Sequence, residues 1–150
     1  MTDMKKAQMY TDGGARGNPG PAAIGVVFKE NGKTVDTLKL FIGDTTNNQA
    51  EYQAVIHGLQ RAEENGYTHL EVFMDSQLVA EQLNRNYKIK DKGLQKLFVE
   101  AWNSIQGFAS VTFTFIPREQ NEEADKLVNE ALDEGEKIDR VEELEEEEIL

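Results

Sequence analysis

Cysteine is absent from the 150-residue chain, which excludes disulfide scaffolds, thiol nucleophiles and cysteine-bound structural zinc. No apolar run approaches the roughly 20 residues needed to span a bilayer, and residues 1–8 are too polar for a secretory signal. The expectation is a soluble, cytoplasmic protein with no membrane partner. Histidine is scarce, with two in the chain, so a metal centre built on imidazole has little to draw on. Positive charge is also outweighed: the net charge of −12 would ordinarily argue against a nucleic-acid partner. The distribution of that charge removes the objection. Residues 119–150 hold 15 of the 28 acids and 3 of the 16 bases, which leaves 13 of each in residues 1–118. The acidity belongs to the C-terminal segment, and the body is neutral.

The length suits one domain, able to bury close to about 70% of its unfolded surface. Residues 7–11 read as a short strand running into a glycine and proline loop. Residues 24–29 and 35–42 are β-rich and meet across Asn31-Gly32, a strong hairpin signal. Cap-type residues 45–48 precede a helix with Ala50, Ala54, Leu59 and Ala62 at helical spacing, ending at Asn65-Gly66. Residues 70–74 form an apolar strand closed by Asp75, and Ser76 can cap a helix with Leu78, Val79, Gln82 and Leu83 on one face. Residues 94–105 read as a helix, in which Phe98 and Trp102 are expected in the core. Residues 111–116 alternate like a strand that Pro117 breaks, and 119–132 are helical. Three strands, helix, strand, helices, strand, helix is an α/β order, a mixed sheet with helices packed on it. Residues 1–132 are expected to form the domain. Residues 133–150, with Glu145–Glu148 unbroken, form an acidic tail, partly helical or disordered, where Val141, Leu144 and Ile149 would dock loosely.

Outside that tail, four acids stand at the ends of elements. Asp12 ends the first strand. Glu51 sits in the first turn of a helix, on the face of Val55 and Leu59, and so points at the sheet. Asp75 closes a strand, and Asp125 borders the apolar stripe of the last helix. Each alone has an ordinary explanation as a turn or helix-dipole residue. Together they could converge on one sheet edge, where like charges raise one another's pKa unless a cation joins them. Without cysteine, the matching occupant is a hard, oxygen-seeking ion such as Mg²⁺ or Mn²⁺. Two such ions about 4 Å apart suit in-line phosphodiester hydrolysis, one activating water and the other stabilising the leaving oxygen.

Tyr10-Thr-Asp-Gly-Gly-Ala-Arg-Gly-Asn-Pro-Gly-Pro21, Thr45-Thr-Asn-Asn-Gln-Ala-Glu-Tyr52, Asp75-Ser-Gln77 and Asn121-Glu-Glu-Ala-Asp125 resemble, in order, the four acidic motifs of type 1 ribonuclease H. The resemblance runs from about residue 7 to residue 132. It implies a ribonuclease H-like fold, a five-stranded mixed sheet flanked by helices. It also implies that Asp12, Glu51, Asp75 and Asp125 are catalytic acids holding two Mg²⁺ ions, with Mn²⁺ as a substitute. The implied activity is cleavage of the RNA strand of RNA–DNA hybrids, leaving 5′-phosphate and 3′-hydroxyl ends, by a monomer.

Telling RNA from DNA means sensing the 2′-hydroxyl. Asn18, Asn47, Asn48 and Gln49 offer amides for that task, while Asn18 also suits its Pro-Gly turn and Asn47 or Asn48 also suits a helix cap. Gly13, Gly14 and Gly17 would let backbone approach the strand, and Arg16 and Gln77 lie within the motifs. Arg85, Lys88, Lys90, Lys92 and Lys96 form the one basic concentration, with Lys88 and Lys90 expected on phosphates. The histidine that many relatives carry on a loop before the last acid is missing from residues 116–121; His57 and His69 read as structural or surface. Arg118 is the substitute, a fixed charge that cannot shuttle protons. The long basic extension of some relatives is absent too, which predicts weaker hybrid affinity. Alternatives are a nuclease of the same fold acting on double-stranded or branched nucleic acid, a catalytically weak hybrid-binding module, and an acidic interaction protein acting through its tail.

Overall fold

A computed structural model describes residues 3–149; the side chains of residues 139–143 and 145–149 are not among those described. In chain order the elements are β1 (Lys6–Ala15), β2 (Gly20–Glu30), β3 (Lys33–Thr45), α1 (Asn47–Glu64), β4 (His69–Met74), α2 (Gln77–Leu83), α3 (Lys92–Ile105), β5 (Ser110–Phe115), a 3₁₀ turn (Arg118–Gln120) and α4 (Glu122–Ile149). The five strands form one sheet in the order β3-β2-β1-β4-β5. β1, β2 and β3 are antiparallel, whereas β1, β4 and β5 are parallel, so the sheet is mixed as expected.

The long run of β2, GPAAIGVVFKE, is buried on both faces because helices lie on both. Val26 and Phe28 join the main core with Tyr52, Val55 and Leu59 of α1 and Val72 and Met74 of β4. Ala23, on the other face, packs with Val128, Ala131 and Leu132 of α4, and Phe41 of β3 leans on that cluster. Each large side chain so buried contributes about 1.5–3 kcal/mol. The β2–β3 hairpin turns at Asn31 and Gly32, at φ 51° and 78°, the two left-handed residues a type I′ turn requires. α1 stops at Asn65 with Gly66 at φ 79°, also as the sequence suggests.

Several local expectations need correction. β1 runs on to Ala15, so Asp12 lies within a strand instead of ending it; the glycines pair across to Ile24 and Ala23 of β2. Thr46, not Asn47 or Asn48, caps α1, in a capping box with Gln49. Leu78 is exposed, as the buried face of α2 is Val79, Ala80, Gln82 and Leu83. Trp102 is 37% exposed at the surface of α3, stacked on Phe98 with Arg85 over its ring. The last helix begins at Glu122, after the separate 3₁₀ turn, where the sequence suggested residue 119, and it extends to Ile149. Leu144 is exposed there, while the side chains of Val141 and Ile149 lie outside the described residues. Among the described residues, no helix is long and apolar enough to cross a membrane.

Candidate active site

Two glycines bring four elements, β1, β2, α1 and α4, together at one end of the sheet. Gly13 passes so close to α1 that a Cβ would stand 2.3 Å from the Ala50 carbonyl, which places the next residue of α1, Glu51, beside β1. Gly25 pairs with Asp12 across β1–β2, and a Cβ there would stand 2.4 Å from the Ala124 carbonyl, next to Asp125. No side chain larger than hydrogen fits either contact. Glu51 falls in the second turn of α1, one turn later than the sequence suggested, and it points inward with 9% exposure. Asp75 follows β4 directly, and Asp125 occupies the first turn of α4.

Carboxylate oxygens of Asp12, Glu51 and Asp75 all lie within 4.8 Å of one another. They line a cleft of about 390 Å³ together with Asp125 and Arg118. Asp125 stands outside the tight trio, with an oxygen 3.6 Å from the exposed Arg118 guanidinium. Burial pushes the Asp12 carboxyl up to about 7, helped by the charges of Asp75 and Asp125 and opposed by a hydrogen bond from Glu51. Burial likewise drives Glu51 well above the usual carboxylate range, with the charges of Asp12 and Asp75 adding to it. Asp75 is raised by burial, and the Asn121 amide and the Arg118 charge pull it back. Glu51 Oε2 is buried without a hydrogen-bond partner. An all-oxygen donor set, with mutually repelling charges and a buried oxygen lacking a partner, fits a hard divalent cation.

Gly13, Gly14, Arg16 and Asn47 line the same cleft. Asn18, Asn48 and Gln49 line an adjoining hollow that shares Asn47. Asn18 Oδ1 accepts from the Asn47 backbone N–H at 3.0 Å, and Asn47 Oδ1 accepts from that of Ala15 at 2.8 Å. Each amide therefore shapes the loop with its oxygen and keeps its nitrogen for another partner. Arg16 reaches Asp133 at 2.8 Å and Glu136 at 3.0 Å, both on α4. Gln77, Lys88 and Lys90 are exposed, Gln77 opening α2 and the lysines in the α2–α3 connection; none lines the cleft. His57 is half-buried on α1 and His69 opens β4. Sequence reasoning passed over Asn121 and Asn129. Asn129 lines the cleft and donates to the Asp125 carbonyl at 3.1 Å. A polar residue one turn beyond Asp125 was the available signal.

A mixed five-stranded sheet with a carboxylate cluster at the end of its central strands, where α1 and α4 close on it, defines a protein of the ribonuclease H-like class. Residues 10–131 match the family described as reverse transcriptase-like. The chain is 43% identical over 131 residues to ribonuclease HI of Halobacterium salinarum, covering 87% of this chain and 66% of that one. It is 41% identical over 130 residues to a bifunctional protein of Mycobacterium tuberculosis, covering 85% of this chain and 36% of that one. This chain thus spans about a third of the mycobacterial relative and just under two thirds of the archaeal one. The crystal structure of RNase H1 from the same Halobacterium superposes with a TM-score of 0.85, at 43% identity over 87% of this chain and 99% of that one. LC11-RNase H1 in complex with RNA/DNA hybrid gives 0.83 at 42% identity, over 86% and 98%. The chain belongs to the ribonuclease H family.

Proposed function

We propose that the chain is an endoribonuclease that hydrolyses the RNA strand of RNA–DNA hybrids, leaving 5′-phosphate and 3′-hydroxyl ends. The observation that carries this reading is the trio of Asp12, Glu51 and Asp75, drawn from three elements to within 4.8 Å and including a buried oxygen with no partner. The similarity to LC11-RNase H1, a structure determined with RNA/DNA hybrid, supports the substrate. Asp12, Glu51 and Asp75 would hold the cations, two Mg²⁺ with Mn²⁺ able to replace them, and Asp125 would complete the set from α4. Bound there, the ions would supply an activated water and neutralise charge gathering on the scissile phosphate.

The chain's own residues supply the rest. The Nδ2 groups of Asn18 and Asn47, whose oxygens are already engaged, can donate to a ribose 2′-hydroxyl, and Asn48 and the Gln49 nitrogen stand beside them. Backbone at Gly13 and Gly14 lines the floor over which the strand would lie. Arg118 sets a permanent positive charge beside Asp125, facing charge that develops on phosphate. Arg16, Gln77, Lys88 and Lys90 would contact the backbone of the duplex and position it without reading sequence. Residues 1–132 carry this chemistry, and 133–150 form an acidic appendage that it does not require. A cytoplasmic setting and a monomeric state belong to the same reading. The test is a labelled RNA–DNA duplex with Mg²⁺, beside labelled double-stranded DNA and RNA. RNA cut within the hybrid supports the reading; binding without cleavage in any divalent metal, or cutting of DNA alone, refutes it.

A further inference from the structure

Asn121 is a buried polar residue that the mechanism above leaves unused. It stands between the 3₁₀ turn and α4 with 2% exposure. Its side-chain nitrogen donates to the Thr11 carbonyl at 2.9 Å, across 110 residues of sequence. Thr11 precedes Asp12, and Thr11–Met74 is the final pair of the β1–β4 ladder, so the bond is made where β1 and β4 separate. The backbone of Asn121 is committed as well. Its N–H donates to the Arg118 carbonyl at 2.9 Å, and its carbonyl accepts from the Asp125 N–H at 3.1 Å. One residue therefore joins the strand bearing Asp12, the turn bearing Arg118 and the first turn of the helix bearing Asp125. Its amide also pulls the Asp75 carboxyl back against the upward push of burial.

Packing alone does not account for an amide here. The Asn121 Oδ1 is buried with no partner, a cost that an apolar side chain of similar size would avoid. The donor is what the position needs. A carboxylate would face the Thr11 carbonyl with a second acceptor and add another negative charge to the cluster. A serine is too short to span the same gap. Resting on the reading that these acids hold cations, we propose that Asn121 is a positioning residue, whose amide sets the spacing of Asp12, Asp75 and Asp125 and thereby the affinity of the site for divalent metal.

Calorimetric titration of the full chain with Mn²⁺ alone, without nucleic acid, tests this. The proteins compared are wild type, Asp12→Asn, Asn121→Ser, Asn121→Ala and Leu70→Ala. Leu70 is a core residue at the far end of β4 from Asp75, and its truncation reports loss of stability alone. Both Asn121 variants are expected to bind Mn²⁺ about 10–100-fold more weakly, as replacements of groups supporting metal ligands do. Leu70→Ala is expected to stay within about twofold of wild type, and raising the metal concentration should recover much of the kcat lost by Asn121→Ser. Wild-type affinity in a folded Asn121 variant, or an equal loss in Leu70→Ala, overturns the proposal. If wild type binds no Mn²⁺, or Asp12→Asn binds it equally well, the failure is that of the metal site itself and the proposal falls with it.

Discussion

Removing the charge of Asp12 should stabilise the metal-free protein while destroying its function. The Asp12 carboxyl, ordinarily near 3.8, is pushed up to about 7 by burial and by the neighbouring acids. At 1.36 kcal/mol per pH unit, ionising it in place costs about 4 kcal/mol once the pH exceeds that value. Asp12→Asn removes this cost, although its amide brings two N–H groups that need partners and gives up the hydrogen bond from Glu51. We expect a net gain of about 1–3 kcal/mol at pH 8, or roughly 3–10 °C in Tm for a chain of this length. The folded-state value lies above the unfolded one, so the carboxyl's contribution is complete below about pH 4 and is lost as the pH rises through 7. The advantage of the variant should therefore vanish near pH 4, grow between 4 and 7, and stay level above. Scanning calorimetry in EDTA across that range measures it. Adding Mg²⁺ at pH 8 should raise the Tm of wild type much more than that of the variant. A variant less stable than wild type in EDTA at pH 8, or a difference that does not change with pH, would refute the electrostatic reasoning.

Gly13→Ala should lower stability by about 1–3 kcal/mol, because its Cβ would meet the Ala50 carbonyl at 2.3 Å; an unchanged denaturant midpoint would contradict that contact. Arg118→Ala should reduce kcat by about tenfold or more through the loss of a fixed charge facing phosphate. The acidic limb of the pH–rate profile should move to higher pH, because the Arg118 charge no longer pulls the Asp75 carboxyl down. Asp133→Asn combined with Glu136→Gln frees Arg16 from two ion pairs and removes two negative charges from the rim. Hybrid binding measured by fluorescence anisotropy at low salt should tighten by about two- to fivefold, and the gain should fade as salt rises.

The order of elements, the mixed sheet and the inward aim of Glu51 were legible from periodicity and turn chemistry. So was the Asn31-Gly32 hairpin, because two left-handed residues leave few other uses for that dipeptide. Less legible were features set by distance between elements. The glycines after Asp12 read as loop, yet β1 continues through them because β2 offers partners up to Ala22. That Gly13 and Gly25 serve as contact points for α1 and α4 depends on how closely helices pack, which no local pattern encodes. Leu78 and Trp102 carry apolar bulk at helical spacing and are nonetheless exposed, since α2 packs on β5 and α3 on α1, and these two side chains lie on the faces turned to solvent. Asn121 opened the fourth acidic motif within a segment read as helical and was given no role; its long-range bond to Thr11 appears only in the folded chain.

The most direct test pairs wild type with Glu51→Gln on an end-labelled RNA–DNA duplex in Mg²⁺, with EDTA controls. Glu51 is buried and reaches the other acids only if α1 closes on β1 at Gly13. Metal-dependent cutting of RNA by wild type, with the variant slower by about a thousandfold or more, is the predicted result. Equal cleavage by the two proteins, or wild-type cleavage that persists in EDTA, would contradict the account.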